Sequence, residues 1–303
     1  MGVESVGRSL VGTSLDLIAQ NQASTGAYVA APGYDTYAFS WLRDGAFIAA
    51  AMDAHRRHGS AAAFHAWVAR TIERYENKVE LLETEAIDAL KGTGDPLRPL
   101  DRRYILHTRF TIDGEEAEEH WGEFQLDGYG FWLSSIARHM ALAERDPVPY
   151  VKAIDLVCRY LVLTWELPCF DSWEEYPTRR HMTTWAAVAN GLHEAGRLIG
   201  STDASATSEE IRRRLADVVQ PGHSLLKFVP EADGRELHES VARSVVPRES
   251  AVAGHERIGH ALDPDAVDGS ALLVLGAFGP FDPGSDIVTA TVAAIEDTLV
   301  VGG

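Results

Sequence analysis

Apolar residues recur at three- and four-residue steps in segment after segment of this chain, and no other feature constrains its fold so strongly. The stretch from Tyr150 lines up Tyr150, Ile154, Val157, Leu161 and Trp165. The one after Thr178 lines up Met182, Trp185, Ala189, Leu192 and Ile199, and the last lines up Ile287, Thr291, Ala294, Ile295 and Leu299. Each can bury one stripe of a helix. Further patterns cover about 5–20, 45–57, 60–90, 128–145, 208–218 and 267–277, which predicts roughly nine helices. Only YILHTRFTI, residues 104–112, has the β-branched and aromatic content of a strand, and IDG at 112–114 closes it as a short hairpin in a loop. No composition break or Pro/Ser-rich linker divides the chain, so one helical domain over 1–303 is expected. The irregular stretches, about 21–43, 92–127, 166–178 and 219–265, are where binding groups concentrate on a helical scaffold.

Charge narrows the partners. Lys and Arg number 27 against 45 Asp and Glu, a formal charge of -18 with no basic stripe, which argues against nucleic acid and anionic membranes. The N-terminus lacks the basic start, apolar centre and cleavage site of a secretory signal, and no apolar run reaches transmembrane length, so a cytoplasmic location is expected. Cys158 and Cys169 read as free thiols. No metal site is expected: DPDAVDG at 263–269 has Val267 at the third ligand position of a calcium loop and Val274 in place of its closing glutamate, and reads instead as a turn into a helix. The twelve histidines are scattered, His255 and His260 lie five apart, and they read as satisfied surface or loop residues. Phosphate-loop, dinucleotide and nucleophile-elbow motifs are missing, so no cofactor is expected.

Three loop-to-helix junctions join tryptophan to carboxylate: Tyr37 through SWLRDG at 40–45, HWGEFQLDGYG at 120–130 and DSWEEY at 171–176. A sugar ring offers apolar C–H faces and equatorial hydroxyls, so its site wants flat aromatic walls beside Asp, Arg and Gln. Arg43 next to Asp44 offers complementary forks for two vicinal hydroxyls, or else an ion pair at a helix start. Ser172-Trp-Glu-Glu175 also satisfies a capping box, which Pro177 weakens by disfavouring helix at Tyr176. The residues alone leave capping and proton transfer both open at Glu174 and Glu175. Loop packing likewise stays open for Trp121 and Gln125.

In that order and spacing the three junctions resemble the glucoamylase-type inverting glycosidases of glycoside hydrolase family 15. DGSALLVLGAFGPFDPGSDIVTATVAAIEDTL, residues 268–299, is similar to that family's Asp-x-Ser-x-Leu helix, Phe-x-x-x-Asp-Pro turn and following helix. The resemblance covers most of the chain. It implies an all-α (α/α)6 barrel with a glucose pocket at one end. It implies that Tyr37, Trp41, Arg43 and Asp44 line the terminal-glucose subsite and that Trp121 and Gln125 support the adjoining wall. Trp173 would pack near the scissile bond, Glu174 would be the general acid, and Glu175 would bind a nearby hydroxyl. The expected reaction is exo-acting inverting hydrolysis that frees β-glucose from the non-reducing end of short α-gluco-oligosaccharides, isomaltose or maltose. A carbohydrate-sensing domain without turnover, a trehalose hydrolase and a purely structural scaffold are the alternatives. The helical pattern begins at once, so no N-terminal β-sandwich is expected. The sequence ends at Leu299-Val-Val-Gly-Gly303, about where the family continues into further helices. The barrel is therefore expected to be incomplete at the C-terminus, with the general base not present among these residues.

Overall fold

A computed structural model of the chain describes residues 3–86, 101–119, 121–219, 223–230 and 267–299. Among these residues there are nine α-helices and two very short strands: α1 (Val3–Asn21), β1 (Ser40–Trp41), α2 (Leu42–Ala54), α3 (His58–Arg74), α4 (Glu76–Leu81), β2 (Arg109–Phe110), α5 (Asp127–Leu142), α6 (Val151–Thr164), α7 (Met182–Ile199), α8 (Thr202–Val218) and α9 (Asp286–Leu299). The fold is all-α, of the (α/α)6-barrel type expected.

The helices form where the apolar stripes are. On α3 the buried residues Ala61, Phe64, His65, Val68 and Ile72 follow the three- and four-residue steps of one helix face. The pattern read as one helix over 60–90 is broken at Tyr75, whose φ of -104° and ψ of 19° end α3 before α4 restarts and runs into a π-turn at Leu82–Ala86. Tyr75 continues the apolar pattern, so periodicity alone misses the break. Helix α8 starts earlier than its stripe, at Thr202, because Ser201 accepts a 3.3 Å bond from the Ala204 N–H and Gly200 closes α7 in the left-handed conformation, φ 73°. The segment expected as a helix over 267–277 is a 3-10 helix, Gly269–Val274, capped by Asp268 Oδ1 on the Ser270 N–H at 2.8 Å.

Strand pairing also differs from the expected local hairpin. The turn is present, with Gly114 N–H donating to Thr111 O at 2.9 Å. Only Arg109 and Phe110 are strand, and they pair antiparallel with Trp41 and Ser40 across the chain. The 104–112 stretch thus fixes the residues that lead into α2.

Helix α5 lies between α2 and α7. At the α5–α7 crossing a Cβ on Gly130 would fall 2.5 Å from Ala187 O, and one on Gly191 would fall 2.4 Å from Gly130 O, so both positions need glycine for the backbones to touch. Four of the twelve histidines, His65, His107, His139 and His181, are buried; His107 and His181 lie in loops as expected, but His65 and His139 lie inside helices, contrary to the surface or loop placement expected, and His255 and His260 lie outside the described residues. Cys158 and Cys169 are free and buried, and burial pushes the Cys158 thiol up to about 12. Among the described residues no helix is long and apolar enough to cross a membrane.

Candidate active site

The DSWEEY motif caps no helix. Asp171 folds it into a tight turn, accepting bonds at Oδ1 from the N–H groups of Trp173 at 3.0 Å and Glu175 at 2.8 Å. The backbone closes the turn through Glu174 N–H to Asp171 O at 2.9 Å and Asp171 N–H to Glu175 O at 3.1 Å. Helix α7 begins only at Met182, and Ser172 Oγ donates instead to Asp127 Oδ2 at 2.8 Å. Glu174 and Tyr176 have φ of 64° and 48°. The left-handed region disfavours residues with a Cβ, and such strain collects at functional sites.

That backbone presents Glu174 to the other two junctions. Its Oε1 accepts from Trp41 Nε1 at 3.1 Å and from Gln125 Nε2 at 3.0 Å, and Arg43 NH2 stands 3.9 Å away. Gln125 is oriented by its own bonds: Nε2 also donates to Gly122 O at 2.9 Å, and Oε1 accepts from Arg43 NH1 at 2.8 Å. Arg43 in turn meets Asp127 Oδ2 at 3.0 Å. Burial works against the Arg43 charge, but Asp127, Asp44 and Glu174 outweigh it and raise its pKa. The three motifs, far apart in sequence, share one hydrogen-bond network. Among the described residues every hydrogen bond to the Glu174 side chain meets Oε1.

The aromatic wall stands behind this network. Trp41 and Trp121 meet edge to face at 5.9 Å, and Tyr37 lies 6.1 Å from Trp41 and 6.3 Å from Trp121. The buried Arg109 guanidinium packs on Trp121 at 4.3 Å, Phe39 at 4.4 Å and Trp41 at 5.6 Å, so a cation–π contact props the indoles. Arg43 also reaches a cleft of about 420 Å³ lined by Asp44, Ser172, Trp173, Ser270 and Leu273. Burial, partly offset by Arg43, raises the Asp44 pKa. Asp44 has no side-chain partner among the described residues, so the fork expected from Arg43 and Asp44 is not a closed ion pair. A larger depression of about 620 Å³ between Val151, Lys152, Asp155 and the Gly200 corner holds none of the motif residues. Its lining has no aromatic ring and no arginine.

Trp173 is 59% exposed and tethered by Nε1 to Asp268 Oδ1 at 2.8 Å. Glu175 lies apart from the Glu174 network, 3.5 Å from Lys227 Nζ. Lys227 also pairs with Asp171 and Asp268, each at 3.1 Å. Burial disfavours its charge, but the two aspartates outweigh that and raise its pKa. Sequence reasoning passed over Asp127, Asp171, Asp268, Arg109 and Lys227 as site residues. Asp127 and Asp171 stand inside the quoted motifs and could have been found there; Lys227 follows no local pattern.

An all-α scaffold whose loop ends set one carboxyl among indole, amide and guanidinium groups defines the class. The chain belongs to the glycosyl hydrolases family 15, whose model matches residues 7–293. It is 32% identical over 290 residues to the isomaltose glucohydrolase of Kribbella flavida, covering 95% of this chain and 66% of that protein. It is also similar to a solved wild-type glycosidase, at 29% identity and a TM-score of 0.77 over 99% of this chain and 72% of the other. A glutamate-to-alanine variant of a glycosidase in complex with glucose matches to the same extent. The chain thus spans just under two thirds of the curated relative it matches.

Proposed function

We propose that this chain carries the proton-donating half of an exo-acting, inverting α-glucosidase site that frees β-glucose from the non-reducing end of short α-gluco-oligosaccharides, isomaltose among them. The observation that carries the reading is the one-sided bonding of Glu174. Two neutral N–H donors hold Oε1, so the carboxyl is aimed while Oε2 protonates the glycosidic oxygen as the bond to the anomeric carbon breaks. Asp44, without a partner in a cleft it shares with Arg43, accepts hydroxyl hydrogens of the terminal glucose, and Trp173 covers the bond to be cut. Tyr37, Trp41, Trp121 and Gln125 set the wall, and Glu175 takes a hydroxyl at the Lys227 side.

Inversion also needs a second carboxylate, roughly 6.5–9.5 Å from the acid, to activate water. The proposal assigns that role to no residue of this sequence. The substrate class is supported by the name of the Kribbella flavida relative and by the glucose in the solved neighbour. The direct test compares Glu174→Gln with the parent on two substrates, each assayed in a chain that also supplies that second carboxylate. Hydrolysis of isomaltose should fall by on the order of 10³-fold, whereas α-glucosyl fluoride, whose leaving group needs no proton, should react at nearly the parent rate. Equal losses on both would remove Glu174 as the acid. Proton NMR of the first turnovers should show β-glucose, and initial α-glucose would refute inversion.

A further inference from the structure

Outside this cleft, α2, α3 and α5 converge on ionisable side chains that the reaction does not use. Asp53, near the end of α2, is 3% exposed. Its Oδ1 lies 2.7 Å from His58 Nδ1 at the start of α3 and 2.9 Å from His139 Nδ1 on α5, and Oδ2 is also 2.9 Å from that nitrogen. His65 stands seven residues, about two turns, along α3 from His58 and so on the same helix face. His65 and His139 are fully buried, and both ring nitrogens of His65 and Nε2 of His139 have no hydrogen-bond partner among the described residues. Three unpartnered imidazole nitrogens in one helical core is a cost that folded proteins avoid, and each such group calls for an explanation such as a bridging water or ion.

We propose that Asp53, His65 and His139 bind a divalent transition-metal ion of the zinc type, with His58 as a fourth donor on the solvent side. One donor atom from each of the first three residues already lies within 4.8 Å of the others. On a tetrahedral ion with bonds of about 2.0–2.1 Å, donor atoms stand about 3.4 Å apart, so the rings need to close by on the order of 1 Å. Two imidazoles sharing such an ion put their ring centres about 5 Å apart; those of His65 and His139 are 5.0 Å apart. Two imidazoles with a carboxylate form a donor set suited to zinc and its neighbours rather than to calcium or magnesium. The His58 side chain, 30% exposed, gives the ion a way in from solvent. Because α2 bears Arg43 and Asp44 and α5 begins at Asp127, the ion would pin the helices that carry the sugar-holding residues.

The test uses the whole chain, stripped with a chelator and titrated with Co²⁺. One equivalent should bind with the intense visible bands of a tetrahedral site, Zn²⁺ should displace it mole for mole, and excess Zn²⁺ should raise Tm by about 5 °C. His65→Leu, which puts an apolar side chain in an apolar setting, should abolish the bands and the shift. Binding that persists in folded His65→Leu would place the ion on surface histidines and overturn the proposal. So would a parent chain that binds no Co²⁺, which would leave a buried water to bridge the rings. Should His65→Leu fail to fold, X-ray absorption on the zinc-loaded parent decides: at least two imidazoles at about 2.0 Å support the site, and none sinks it.

Discussion

Where α5 crosses α7, Gly130 and Gly191 bring two backbones into contact, and the fit depends on the absence of side chains. From Asp171 to Tyr176 the chain depends instead on directional polar bonds, with two residues in the left-handed region and a half-exposed tryptophan at the tip. The first region is crowded and held by shape, with one buried Asn190–Ser134 bond beside the glycines; the second is more exposed and exact in bond direction. Damage to the crossing should therefore appear as lost stability at normal turnover per folded molecule, and damage to the turn as lost turnover at normal stability.

The strongest way to break this contrast is Glu174→Gln. Turnover of isomaltose should drop by about 10³-fold, equivalent to about 4 kcal/mol, while Tm stays within about 2 °C in a thermal melt. A matching collapse in Tm would mean that the turn holds up the fold. Next comes Gly191→Ala, whose Cβ must displace the backbone of α5; urea denaturation should show a loss of about 3 kcal/mol, and activity per folded molecule should change little.

Asp127→Asn sharpens the comparison, since Asp127 belongs to both regions: it opens α5 and holds Arg43 and Ser172. Leaving the largely buried Arg43 guanidinium without its nearest counter-charge should cost about 2 kcal/mol in denaturation and raise KM as well. A loss confined to stability would detach Arg43 from the sugar.

The pH dependence probes the base of the turn. Burial raises the Asp268 pKa, but the Trp173 indole N–H, the Ser270 N–H and Lys227 outweigh it and leave it below its ordinary 3.8. A depressed carboxyl contributes stability above its unfolded pKa and loses it as pH falls through the folded one. The parent should therefore lose stability more steeply than Asp268→Asn below about pH 4, by on the order of 1 kcal/mol, as read from urea midpoints. Lys227 works in the opposite sense. Its raised pKa adds stability below 10.5 that disappears as pH climbs past the folded value, so Lys227→Met should flatten the alkaline limb.

The smallest effect should be a gain. Burial raises the Asp44 pKa, so its ionised form costs more in the folded chain than in the unfolded one. Asp44→Asn should raise Tm by on the order of 1–3 °C while weakening glucose binding in calorimetry, a trade of stability against function. A lower Tm would show that Asp44 is satisfied as it stands.

Much of this contrast is legible in the sequence, for a physical reason. Stripes such as Ile154, Val157 and Leu161 mark helices because burial acts on one face at the helical period, and the junction motifs keep their site residues within a few positions of each other. The break at Tyr75 is not legible, since an aromatic residue there satisfies the same stripe whether or not the helix continues. The Asp53–His58–His65–His139 cluster is hidden because three helices supply it, and no spacing along one helix records the other two. Lys227 is hidden for the same reason: its meaning lies in Asp171 and Asp268, 56 residues before it and 41 after. Pairing between Trp41 and Arg109 was missed because a two-residue strand has no period to read.

Strand β1 runs into α2 without a spacer: Trp41 is the last strand residue and Leu42 the first helical one. The indole that holds Glu174 and the guanidinium two residues later are therefore phased by the helical screw itself. Inserting a single alanine after Trp41 would leave that ring on its rung against Arg109 yet swing Arg43 by about 100° about the axis. Lengthening loops elsewhere is a familiar route by which enzymes diversify; at this joint, the reading frame between two side chains is locked.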